Sequence, residues 1–142
     1  MTTTISRAES AEEVAAAYDV RRWVFVDEQR VPLDLERDEA DETADHFLAC
    51  DGATAVGAAR LVRRGQVGVL GRLAVLPAAR GRHLGVALVH AIERHVRACG
   101  LATIELHAQT PVRGFYEALG YAPYGAEFLE AGIPHVSMRK YL

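Results

Sequence analysis

The sequence predicts an α+β fold whose sheet contains one clear strand–helix–strand crossover. Three observations lead there. In residues 84–99, Leu84, Leu88, Ile92, Val96 and Cys99 recur at three- and four-residue spacing, the mark of an amphipathic helix. That helix lies between two apolar segments of strand character, 67–76 and 101–108. Ahead of it, Asp51-Gly52 reads as a hairpin turn between two further apolar arms.

The elements follow in order. Thr3 to Arg7 predicts a short first strand. Ser10 with Glu13 three residues on is a capping-box pattern, and it opens a helix running through Val14, Ala17, Tyr18, Arg21 and Val24. Residues 27–45 predict an acidic, partly helical connection broken at Pro32. His46 to Cys50 and Thr54 to Val62 form the hairpin arms. Arg63-Arg64-Gly65 then turns the chain into Val67 to Leu76, which ends at Pro77. The helix over 84–99 carries Arg94 and Arg97 on its opposite face and closes at Gly100. Leu101 to Ala108 predicts a buried strand. Thr110-Pro111 starts a short helix that ends at Gly120, and Ile133 to Leu142 is a last strand.

A length of 142 residues suits one domain, 1–142, and there is no repeat, low-complexity stretch or linker to divide it. No apolar run approaches the ~20 residues of a membrane helix, and the amino terminus lacks a signal-peptide pattern. We therefore expect a soluble cytoplasmic protein with no membrane partner. Cys50 and Cys99 have no metal-ligand spacing, so we expect no metal. His90 and His95 are five apart and do not share a helix face, and no serine sits in a nucleophile elbow.

The net charge is only −3, but the charges are segregated. Residues 27–45 hold nine acids against two arginines, and residues 60–97 hold eight arginines against Glu93 alone. Such runs are either solvated faces or the footprints of one cationic and one anionic ligand. With Lys140 as the only lysine, nucleic acid is a poor candidate.

Chemistry concentrates in two segments. In 72–88 a strand ends at Pro77, and the basic loop Arg80-Gly81-Arg82-His83 leads straight into a helix at Leu84-Gly85-Val86. Helix amino termini present free N–H groups and a positive dipole end, which suits a phosphate. Gly81 and Gly85 would let that backbone approach an anion closely. The second segment is Phe115-Tyr116-Glu117-Ala118-Leu119-Gly120-Tyr121, where a tyrosine is placed to protonate a leaving group or simply to pack.

Together, Arg80-Gly-x-x-x-Gly85 after a strand and Phe115-Tyr116-Glu-x-x-Gly-Tyr121 resemble the GNAT family of N-acetyltransferases, over nearly the whole chain. Further stretches are similar to its ElaA/YjcF-like branch: Arg22-x-Val24-Phe25-x-x-Glu28-Gln29-x-Val31-Pro32, Asp38-x-x-Asp41-x-x-Ala44-x-His46, Ala108-Gln109 and Gly132-Ile133-Pro134-His135. The resemblance implies the GNAT acyl-CoA N-acyltransferase fold, a mixed, mostly antiparallel central sheet flanked by helices. It also implies acetyl-CoA as co-substrate, held where strand 67–76 splays from strand 101–108. Backbone groups of Leu73, Ala74 and Val75 would hold the pantetheine arm. The loop and helix start, Arg80, Gly81, Arg82, His83, Leu84, Gly85 and Val86, would hold the pyrophosphate. Tyr116 matches the residue that serves the departing thiolate.

Two departures stand out: His83 occupies the first glycine position of the family's loop, and Gly71 stands where many members carry a glutamate base. Candidate bases are then Glu28, His46 and His135. Arg60 and Arg72 read as internal ion-pair partners for Glu28 or Asp41. The expected reaction is acetyl transfer to a primary amine in a ternary complex, with the acidic 27–45 segment favouring a cationic acceptor. Homodimerisation is implied by the resemblance alone. Two rival readings remain. The Arg22-x-Val-Phe25 and Glu36-x-Asp38-x-x-Asp41 stretches also resemble acyl-homoserine-lactone synthases, which use S-adenosylmethionine. A non-enzymatic acyl-CoA-binding module is the other, supported by Gly71 and His83.

Overall fold

The computed structural model describes residues 2–142. Strands β1 (Thr3–Arg7), β2 (Asp45–Asp51), β3 (Thr54–Arg64), β4 (Val67–Val75), β5 (Thr103–Gln109), β6 (Ala122–Glu130) and β7 (Ile133–Tyr141) form one sheet in the order β1-β2-β3-β4-β5-β7-β6. Only β4 and β5 run parallel; every other neighbour is antiparallel. This is the mixed, mostly antiparallel sheet that the sequence implies. The helices are α1 (Ala11–Arg21), α2 (Leu33–Glu36), α3 (Leu84–Ala98) and α4 (Arg113–Ala118).

The capping box at α1 is formed in both directions: the Glu13 N–H donates to Ser10 Oγ at 3.1 Å, and the Ser10 N–H donates to Glu13 Oε1 at 3.2 Å. Beyond Arg21 the helix continues, but as a π-helical turn over Arg22–Glu28. The α3 crossover is placed as the apolar spacing requires. Leu84, Leu88, Val89, Ile92 and Val96 are buried against Leu61, Leu70, Ile104, Leu106 and Met138 of the sheet. Each such side chain contributes roughly 1.5–3 kcal/mol on burial, so this face is the main core. A second, smaller cluster packs Ala17, Val20 and Val24 of α1 and its extension onto Leu48, Ala58 and Ala74 on the other face.

The sequence reading lacks one strand, β6. It is an edge strand, mostly exposed along its length, and its pairing with β7 is broken between Tyr124 and Phe128. An edge strand with so little buried surface has no apolar alternation to announce it.

Candidate active site

β4 and β5 pair only from Val67–Leu70 to Thr103–Leu106. Past that point β5 stays on β7 as far as Gln109, while β4 stays on β3 as far as Val75. The divergence has a local cause. Ala58 opposes Ala74 and Arg60 opposes Gly71, so Arg72 and Leu73 together face Ala59 alone. This two-against-one arrangement is a β-bulge, which bends its strand, and Arg72 sits in the left-handed region at φ +54°. A cavity of about 610 Å³ opens beside the split, with Gly71, Arg72, Leu73, Ala108 and Tyr116 among its lining residues.

The strand end and loop lie where the sequence puts them. The Val75 carbonyl accepts a hydrogen bond from Arg80 Nε at 2.9 Å, and Ala74 is buried under α1. Gly81 at φ +81° and His83 at φ +59° give the loop two left-handed residues in three. His83 is the N-cap of α3 and makes no side-chain cap, and the first turn carries no acid. The N–H groups of Leu84, Gly85 and Val86 are therefore not answered by a capping side chain. A histidine here keeps the backbone course a glycine would take, at a cost on the order of 1–2 kcal/mol.

The smallness of Gly85 also serves packing: a Cβ there would lie 3.3 Å from Phe115 Cζ. Both loop arginines are paired. Arg80 makes a bidentate pair with Glu28 at 2.6 and 2.9 Å, and Arg82 does the same with Asp51 at 2.7 and 2.8 Å.

Tyr116 is buried at 7 % exposure, edge-on to Phe115 and Tyr121. Its hydroxyl has no hydrogen-bond partner among the described residues, and burial pushes its pKa up. It is thus a phenol that keeps its proton. Tyr121 is committed elsewhere, donating to Glu93 Oε2 at 2.9 Å beside Lys140 Nζ.

The three candidate bases part company. Glu28 does not line the cavity, and its bidentate bond to Arg80 holds its carboxyl below the usual range. His46 is 4 % exposed, with Nε2 bonded to the Asp41 carbonyl at 2.9 Å, its ring edge-on to Tyr18, and it too is off the cavity. Neither side chain lines the cavity, and each is engaged in a bond within the fold. His135 does line the cavity. Its Nδ1 lies 2.6 Å from the Ile133 carbonyl, which can only accept, so Nδ1 carries the proton. Nε2 then faces Glu130 Oε2 at 3.6 Å.

Sequence reasoning missed the organiser of this face, Arg21, which is fully buried. Its Nε donates to Glu36 Oε2 at 2.8 Å, and its terminal nitrogens donate to the Asp41 carboxylate at 2.7 and 3.0 Å. Arg60 bridges Asp41 at 2.9 Å and Asp38 at 2.7 Å. Arg72 reaches Asp38 at 3.3 Å and Glu36 at 3.5 Å. The expected partnership of Arg60 with Asp41 is present; Glu28 pairs with Arg80 instead. Burial opposes ionisation of Asp41, but hydrogen bonds and charge from Arg21 and Arg60 outweigh it, holding the carboxyl well below its ordinary range. The available signal was Arg21 itself, an arginine on the apolar stripe of α1.

A crossover sheet that splits at a bulge, above a bare helix amino terminus and beside a buried tyrosine, defines an acyltransferase of the GNAT kind. The acetyltransferase (GNAT) domain model matches residues 6–142, and the chain belongs to that family. YjcF of Bacillus subtilis, an uncharacterized N-acetyltransferase, is 37 % identical over 134 residues, covering 94 % of this chain and 96 % of YjcF. ElaA of Escherichia coli is 29 % identical over 136 residues, covering 92 % of this chain and 89 % of ElaA. Its crystal structure superimposes with a TM-score of 0.87 over 98 % of this chain and 99 % of that one. An acyl-CoA N-acyltransferase from Pseudomonas aeruginosa gives a TM-score of 0.85 at 26 % identity, covering 98 % of each chain. An aminoglycoside 6'-N-acetyltransferase complexed with coenzyme A shares the fold, with a TM-score of 0.78 at 21 % identity, over 97 % of this chain and 96 % of that one.

Proposed function

We propose that this chain transfers the acetyl group of acetyl-CoA to a primary amine by direct attack in a ternary complex. The observation that carries the reading is the β4–β5 split: pairing with β5 ends at Leu70, and the strand continues five residues further, to Val75, without it. An unpaired strand edge offers amide donors and acceptors to an extended ligand. Just beyond lies the open amino terminus of α3, the feature that suits a pyrophosphate. A structural relative bound to coenzyme A supports the same use of the fold.

Bound acetyl-CoA supplies an activated thioester carbonyl. Leu73 to Val75 hold the pantetheine arm by backbone contacts, and the N–H groups at the start of α3 hold the pyrophosphate. Backbone donors at the bulge stabilise the oxyanion. Tyr116, kept protonated by burial, supplies a proton to the departing sulfur. His135 Nε2, with Nδ1 fixed on Ile133, takes the proton from the amine. His46 and Glu28 hold structure and take no part in proton transfer.

Calorimetric titration with acetyl-CoA, coenzyme A and S-adenosylmethionine, followed by thiol release with a panel of amines, tests this. Micromolar binding of acetyl-CoA and coenzyme A, no binding of S-adenosylmethionine and amine-dependent thiol release are expected. Binding without release for any amine would leave an acyl-CoA-binding module; absence of binding would overturn the reading.

A further inference from the structure

The sequence favours a cationic acceptor collected by the acids of 27–45, but the folded chain pairs Glu28, Glu36, Asp38, Asp41 and Asp45 of that segment with its own arginines, and the acids left over, Asp27, Asp34, Glu39 and Glu42, do not line the cavity. Among the cavity-lining carboxylates, Glu36 holds Arg21 at 2.8 Å, and Asp38 holds Arg60 at 2.7 Å. Glu105 holds Arg139 at 3.1 Å, and Glu130 faces His107 at 3.0 Å and His135 at 3.6 Å. Arg64 also lines the cavity, and among the described residues it has no ion-pair partner. Of these carboxylates only Glu130 lacks an arginine, and it sits beside His135 at the Gln109 end; at the Val62–Val69 end a second positive charge meets Arg64 and no unpaired carboxylate.

The walls are of a different kind. Phe25, Val31, Leu35, Val62, Val69 and Val112 all line the cavity, and Leu35 and Val112 stay 53 % and 44 % exposed. The lining runs along β4 from Val69 to Leu73 and along β5 from Glu105 to Gln109. At the strand rise of 3.3 Å per residue each run spans about 13 Å, the length of an extended chain rather than a compact amine.

Resting on the acetyl-transfer reading above, we infer that the acceptor is a primary amine at the end of an extended apolar arm with no second cation. The amine nitrogen bonds to the acetyl carbon as the C–S bond breaks. One amine proton ends on the coenzyme A thiol, and the ammonium's extra proton goes to solvent. The arm lies along the sheet between Leu35, Val62 and Val69, where each covered methylene adds affinity.

The test compares propylamine, butylamine and hexylamine, then 1,6-diaminohexane and 6-aminohexanoate, each at saturating acetyl-CoA. From propylamine to hexylamine kcat/KM rises at least about twofold per methylene, below the about fourfold of complete burial. At equal length the diamine falls about tenfold or more below hexylamine, while 6-aminohexanoate stays within about threefold. Leu35→Glu, at an exposed position, raises KM for hexylamine at unchanged kcat and lowers it for the diamine. A flat chain-length series, or a preference for the diamine, overturns this inference and leaves acetyl transfer standing. Acetyl-CoA binding with no turnover of any amine overturns both.

Discussion

The two charged segments of this chain end in opposite states. On the β3 side, Arg21, Arg60 and Arg72 meet Glu36, Asp38 and Asp41 in a network whose centre is fully buried. At the start of α3, Arg80 and Arg82 pair with Glu28 and Asp51 at the surface, while the backbone N–H groups beneath them stay uncapped. The first region uses side-chain charge to fix a shape. In the second the backbone N–H groups stay uncapped, and the side-chain charges are paired with one another. Charge runs in a sequence therefore mark where the chain folds upon itself at least as readily as where a ligand binds.

The sharpest way to break that contrast is Arg21→Met, which leaves Glu36 and Asp41 buried without their common partner. Removing one member of a buried ionic cluster costs about 3–5 kcal/mol, and urea denaturation should show a loss of that size. Glu36 Oε1 already lacks a hydrogen bond, so the site has no spare donor to compensate. A loss of under about 1 kcal/mol, the value of a surface pair, would mean the network is not the organiser we describe.

Tyr116→Phe comes next and probes the open region. Removing a proton donor should lower kcat by about 10²-fold or more, with acetyl-CoA affinity unchanged because the backbone contacts remain. Equal losses in kcat and in binding would instead make Tyr116 a packing residue.

Acid separates the regions more gently. Asp38 and Asp41 are held below their ordinary range, as is Asp51, at about 2, by the Arg82 hydrogen bonds. The unfolded chain takes up protons at these positions near pH 4 while the folded chain does not, so stability is full above that pH. It should decline as pH falls from about 4 toward 2 and rise again on return. The Asp51→Asn variant should lose only the surface share of that dependence. A stability curve flat between pH 5 and 2 would contradict the assigned ion pairs.

Much of this was legible before the structure. The helix of 84–99, the capping box at Ser10, the Asp51-Gly52 hairpin and the loop before Leu84 are local patterns, and local patterns survive folding. The bulge at Arg72 was not legible: it is defined by a partner strand, and nothing in Gly71-Arg72-Leu73 says that Ala59 alone will face two residues. β6 was silent because it buries too little to alternate. The Arg21 network joins residues 15 and 20 positions apart across a connection whose course the sequence leaves open. His46 and Glu28 attracted attention as chemically able residues in family-like stretches. Their orientation, one onto the Asp41 carbonyl and one onto Arg80, is a tertiary fact.

Glu28→Gln carries the smallest expected effect and the cleanest decision. If Glu28 were the base, its loss would cost about 10²–10⁴-fold in kcat. Its carboxylate is instead gripped by Arg80, whose Nε also holds the Val75 carbonyl, so the pair fixes the loop to the end of β4. A glutamine keeps part of that contact and removes one negative charge beside the proposed phosphate site. We expect kcat within about threefold of the parent chain and an unchanged pH–rate profile. Acetyl-CoA binding should tighten by a few-fold at low salt, an advantage that fades as ionic strength shortens the Debye length toward about 8 Å. A hundredfold fall in kcat at unaltered affinity would return Glu28 to the chemistry. The expected pattern assigns it, with Arg82 and Asp51, to the scaffold that holds the loop while the backbone does the binding.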